Sequence, residues 1–161
     1  MSIRRIAARA VAVAGVTMLV TVASGGVSSA NAGATKVEGL MVPDQSGQCD
    51  QDPGSVAAYV VSGTLVGCWY VDTFDIDHTS AAGGFVSSGT EQFVGCLGAT
   101  CGRFFTTYTF TAKFDSSGAE QHGRCHHPIV GGEDGFAGAR GTIEMHDLPD
   151  GCSTYVGTVR L

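Results

Sequence analysis

From Arg103 to Phe114 the chain alternates without a break. Phe104, Thr106, Tyr108, Phe110, Ala112 and Phe114 fall on one side, and Phe105, Thr107, Thr109, Thr111 and Lys113 on the other. A repeat of two residues is incompatible with an amphipathic helix, whose period is about 3.6, and marks a strand with one buried face. Such a strand needs partners, and the flanking sequence supplies them. Val56–Leu65, Gly67–Asp77, Gly84–Val94, Ala119–His127, Phe136–Asp147 and Cys152–Leu161 are strand-like. Turn clusters at 81–84, 115–118 and 148–151 divide them. No stretch sustains a helical period. The predicted fold is all-β, an antiparallel β-barrel of about eight strands, with a β-sandwich as the alternative. Closure removes exposed sheet edges, and glycine at 24 of 161 positions provides for tight bends and bulges.

The N-terminus reads as an export signal. Arg4, Arg5 and Arg9 precede an apolar stretch from Ala10 to Val22, and Ala30 and Ala32 are the small residues a signal peptidase recognises, with cleavage expected before Gly33. The apolar run is shorter than the roughly 20 residues a membrane span needs. Residues 1–32 are therefore assigned as a signal peptide and the protein as secreted. Residues 33–55 are polar and rich in turn formers, and read as a lead segment with at most one short strand near Val37–Val42. The barrel domain is placed at 56–161.

Six cysteines, all downstream of the signal, form an even set in an exported chain and read as disulfides. Spacing alone leaves fifteen pairings open. The sequential set is preferred: Cys49 with Cys68, Cys96 with Cys101 across a tight loop, and Cys125 with Cys152. Zinc is the competing reading, from Cys96-x4-Cys101 and Cys125-His126-His127. Paired thiols oxidise outside the cytosol, so no metal and no cofactor is assigned.

Charge restricts the partners. The signal carries three of the nine basic residues and none of the fifteen acidic ones, leaving six against fifteen, or −9, on the mature chain. That excess of acid argues against nucleic acid and, once the signal is gone, against anionic membrane surfaces. Asn31, the only asparagine, is not in an N-glycosylation sequon.

No nucleophile elbow, phosphate loop or metal-binding helix motif is present. Glu120, His122, Arg124 and His126 share one face of a strand, with His127 on the other. Residues four apart in a strand lie about 13 Å apart, too far to share an ion, so the polar face is read as solvent-facing. Arg140, Thr142, Glu144 and His146 alternate with Ala139, Gly141, Ile143 and Met145 in the same way. Asp72, Asp75 and Asp77 lack the pattern of a calcium loop and read as surface acid.

The run Ile129-Val-Gly-Gly-Glu-Asp-Gly-Phe-Ala-Gly-Ala-Arg-Gly141 is, on physical grounds, a turn followed by a tightly packed strand. It also resembles a motif of the allene oxide cyclase and dirigent barrels, in which a Val/Ile-x-Gly-Gly turn precedes Phe-x-x-Ala-x-Gly. At the level of pattern the resemblance extends over about residues 56–161. It implies an eight-stranded barrel with a ligand-sized interior, often oligomeric, and places Arg140 near the pocket. The asparagines that position a water in the plant cyclases have no counterpart in the mature chain. Tyr59, Trp69, Tyr108, Phe110 and Arg140 are the candidate ligand-binding residues. The expected function is non-catalytic binding of a small apolar or aromatic molecule, or of a protein partner, by a barrel that the resemblance implies can assemble as a homo-oligomer. An isomerase or cyclase acting by substrate positioning is the alternative, and a cell-surface structural or interaction protein is the second.

Overall fold

The computed structural model describes residues 33–49 and 54–161. The expected signal peptide lies outside the described residues. Alternation governs the rest: nine strands, β1 (Thr35–Pro43), β2 (Ala57–Gly63), β3 (Leu65–Val71), β4 (Asp75–Thr79), β5 (Gly84–Leu97), β6 (Thr100–Phe114), β7 (Glu120–Asp134), β8 (Arg140–Asp147) and β9 (Ser153–Arg160), and no helix among the described residues. All pairings are antiparallel, in the order β3-β2-β1-β9-β8-β7-β6-β5 with β3 returning to β5. Eight strands thus close a barrel. The long β5 serves two partners, pairing with β3 through Glu91–Leu97 and with the extra strand β4 through Phe85–Ser88.

Three expectations are corrected. The barrel begins at Thr35, not at residue 56: β1 pairs with both β2 and β9, so the strand expected near Val37–Val42 is a full stave. Gly67–Asp77 is two strands, since Asp72, Thr73 and Phe74 leave the sheet between β3 and β4. The last-but-one strand starts at Arg140, because Phe136–Ala139 forms a turn, with Ala139 N donating to Phe136 O.

On β6, Phe104, Thr106, Tyr108 and Ala112 are buried while Thr107, Thr109 and Thr111 are exposed, as the alternation requires. The two ends of the barrel are filled differently. At the end where β5 finishes and β6 begins, Val37, Leu65, Phe93, Phe104, Ile143 and Val159 are fully buried. Phe136 joins them from the β7–β8 connection, making edge contacts with Phe93 and Phe104 at ring-centre distances of 6.0 and 5.4 Å. The Ile129–Gly141 run thereby acquires a structural role. A side chain at Gly132 would strike the carbonyls of Phe136 and Arg103, so glycine there lets the turn fold inward and drop Phe136 into the barrel as a plug. Tyr155 closes the neighbouring corner. Its ring lies over Gly39, where any side chain would collide with it, and its hydroxyl accepts from Leu65 N at 2.9 Å and faces Ser62 O at 3.2 Å.

Two disulfides hold the outer layer. Cys49–Cys68 ties the loop after β1 to the outer wall of β3, and Cys96–Cys101 clamps the β5–β6 hairpin. The third expected bridge is absent: Cys125 and Cys152 are free thiols. Register explains why. Cys125 lies opposite Met145, which lies opposite Tyr155, three residues along β9 from Cys152. Two strand spacings and three residues of rise separate the pair by roughly 14 Å, against a limit of about 7 Å between the Cα atoms of a disulfide.

Candidate functional site

The other end of the barrel is not plugged. A cavity of about 270 Å³ opens there. Four of the five candidate residues, Tyr59, Trp69, Tyr108 and Phe110, line it, together with Met41, Val71, Cys125 and Met145. All are inward-facing by strand parity: odd-numbered positions on β1, β2, β3 and β8, even-numbered on β6, odd again on β7. Phe74 and Val56 stand at the rim, 50% and 66% exposed. Phe74 stacks on Phe85, which meets Phe110 edge-on, so aromatic surface runs from the rim into the cavity.

The floor is polar. Trp69 Nε1 donates to Glu91 Oε2 at 2.7 Å, and His127 Nε2 lies 2.9 Å from the same oxygen. Trp69, Glu91 and His127 are 1%, 7% and 1% exposed. The imidazole stands edge-on to the indole, with ring centres 5.5 Å apart, and 6.0 Å from the Tyr108 ring. Its other nitrogen, Nδ1, is buried and has no hydrogen-bond partner in the protein. In the tautomer that carries its hydrogen on Nε2, toward Glu91, Nδ1 is an acceptor. Ser87, also lining the cavity, has its hydroxyl beside that of Tyr108 but outside hydrogen-bonding geometry.

Burial, with the Glu91 charge second, pushes the Tyr108 phenol up to about 12. It therefore stays protonated and is a standing donor, engaged only by Thr73 O at 3.4 Å. Gly89 makes its placement possible, because a side chain there would run into the Tyr108 ring and the Thr73 carbonyl. The same two causes, burial then Glu91, raise the Tyr59 phenol and the Cys125 thiol. Cys125 is thus held as a thiol, the unreactive form.

Arg140 is the exception among the candidates, and its assignment is corrected. It is exposed, its Nη1 donates to the carbonyl of its neighbour Ala139 at 2.7 Å, and it does not line the cavity. Parity forces this, since Ile143 and Met145 are buried inside, and a residue out of phase with them must point out. His122, Arg124 and His126 are likewise on the outer face, exposed as expected. Glu120 does not share that face: a register shift at the start of β7 sets it opposite Phe114, and its carboxylate turns toward Gly123, beside Asp147 and Phe110. His126 and Arg124 both contact Glu144, Arg124 at 3.0 Å, and these contacts lower the Glu144 carboxyl against the opposing effect of burial. At such exposure the ion pairs contribute little stability. Asp72 accepts from Ser55 Oγ and Gln92 Nε2, a structural use of its carboxylate, and no cluster suited to a metal occurs among the described residues.

Sequence reasoning missed Glu91 and His127. The signal was parity: once Phe93 on β5 and Ile129 on β7 are taken as core, Glu91 and His127, each two residues away, must also face inward. The structure thus brings a carboxylate and a histidine together inside the barrel while leaving the candidate arginine outside. No family model, no curated protein and no solved structure matches this chain.

Proposed function

We propose that this protein is a secreted, disulfide-stabilised barrel that binds a small, largely apolar aromatic molecule bearing one hydrogen-bonding group. The observation that carries the reading is the cavity itself, an aromatic sleeve of Tyr59, Trp69, Tyr108 and Phe110 over a floor on which His127 Nδ1 has no partner. Ligand sites are typically of this kind, apolar walls with a few placed polar groups. Ring stacking on Trp69 and Tyr108 would supply affinity, and the polar floor would select the ligand's single polar group. The −9 charge of the mature chain disfavours anionic ligands. Secretion is supported by the two disulfides and the N-terminal signal pattern. Kinship with the allene oxide cyclase and dirigent barrels is part of the proposal but carries no chemistry by itself, since a fold does not fix a reaction. The arginine-centred isomerase reading has no residue in the cavity.

Thermal-shift screening tests this, with small phenols, aromatic ketones and terpenoids set against sugars and charged metabolites. A ligand at about 100 times its Kd adds about 2.7 kcal/mol, which is a rise of several degrees in Tm for a chain of this size. Shifts confined to the apolar aromatic set support the reading. Shifts only with sugars or anions, or with nothing in either set, contradict it.

A further inference from the structure

The Glu91–His127 pair sits at the floor of the cavity, and its geometry suggests more than a binding contact. Resting on the cavity's reading as a ligand site, we propose that His127 is a general base toward the bound molecule, with Glu91 as its positioning residue, and that the substrate class is a small aromatic or cyclic ketone whose α-proton is moved. A histidine buried for packing alone is expected to satisfy both ring nitrogens, because an unpaired buried polar atom costs stability. Here one nitrogen is fixed by a carboxylate that Trp69 also holds, and the other is left without a partner on a ring that borders the cavity. That arrangement fixes the tautomer, leaves a lone pair on Nδ1 and places a negative charge where it stabilises the imidazolium formed by proton uptake.

The remaining wall supplies the second requirement. An enolate needs hydrogen-bond donors for its oxygen, and the hydroxyls of Tyr108 and Ser87 lie side by side on the cavity lining, neither strongly engaged. In the step, Nδ1 takes the α-proton as the C–H bond breaks. The released pair forms the C=C bond, and the carbonyl π pair moves onto oxygen. Return of a proton from Nδ1 to the α carbon re-forms the ketone, with isotope exchange when the Nδ1 proton has first been replaced from solvent. In a β,γ-unsaturated ketone its delivery to the γ carbon gives the conjugated isomer, with no oxidant, reductant or leaving group. Cys125, kept as a thiol, takes no part.

2-Tetralone, an uncharged aromatic ketone with an acidic α-position, tests both levels at once. Trp69 is the only tryptophan in the chain, so quenching of its emission reports binding directly. Loss of the C1 proton signal in D2O, followed by NMR, reports proton transfer. Saturable quenching is expected, with exchange that saturates at the same ketone concentration. His127→Gln should slow exchange by about 100-fold or more, and Glu91→Gln should lower maximal exchange about 10-fold or more, a larger factor than its change in half-saturation. Saturable quenching with equal exchange in wild type and His127→Gln overturns the general-base proposal and leaves the binding reading standing. No quenching overturns both. Should the variants fail to fold, wild-type exchange decides: a rate no greater than that given by free imidazole at the protein's concentration overturns the proposal.

Discussion

The two ends of this barrel are built from the same staves and the same alternation, yet one is filled to its rim and the other holds a cavity. At the filled end a glycine-rich connection folds inward and delivers Phe136 onto Phe93 and Phe104. At the open end the chain leaves β3 at Asp72 and sends Phe74 to the rim instead of the interior. The level between them carries Glu91, Thr106 and His127, buried polar residues that a barrel built only for stability would replace with hydrocarbon. Stability is concentrated at one end, and a cost is carried at the other.

The largest test of that contrast is Phe136→Ala. Loss of a fully buried aromatic plug should cost about 3–5 kcal/mol by denaturant unfolding. A loss below about 1 kcal/mol would show that the closed end is not held by packing. Next in size is the outer crosslink. Cys49→Ser with Cys68→Ser removes a bond closing a separation of 19 residues and should cost about 3 kcal/mol. Removing Cys96–Cys101, with a separation of 5, should cost less, about 2 kcal/mol in the same chain-entropy picture. The reverse order would mean that the hairpin at the closed end depends on its crosslink more than on Phe136.

Thr106→Val should move stability the other way. The Thr106 hydroxyl is buried at the level of Glu91 and has no partner, so an isosteric methyl is expected to add about 1 kcal/mol. A loss of stability would reveal a hydrogen bond that the contrast between the two ends ignores.

The smallest effect is in the loop over the outer wall. There the amide of Cys49, followed by the Ser46 hydroxyl, holds the Asp44 carboxyl down at about 2. The folded value is depressed, so this contribution is complete above about pH 4, the ordinary aspartate range. It is lost as pH falls through about 2. Hydrogen exchange at the Cys49 amide, followed down the pH scale, should show protection vanishing in that window while core amides of β6 keep theirs.

Much of this was legible in the sequence, and the exceptions share a cause. The alternation of β6 and the turn clusters gave closure and strand number, because a half-buried strand is specified locally. The aromatic lining followed too, since Tyr59, Trp69, Tyr108 and Phe110 sit at strand positions where aromatics face inward. What failed needed register between strands. Whether Cys125 can meet Cys152, and whether Arg140 shares the phase of Ile143, depends on pairings across β7, β8 and β9 that no local pattern encodes. Glu91 and His127 were obscured for a related reason, as charged and polar residues default to the surface until neighbouring core residues fix their phase.

Methyl NMR of the protein titrated with 2-naphthol tests the central claim most directly, because methyl groups line both ends. The account predicts saturable shifts at Met41, Val71 and Met145 around the cavity, with Val37 and Val159 at the plugged end unmoved. Shifts of equal size at both ends, or none at the methyls of these three cavity residues, would contradict it.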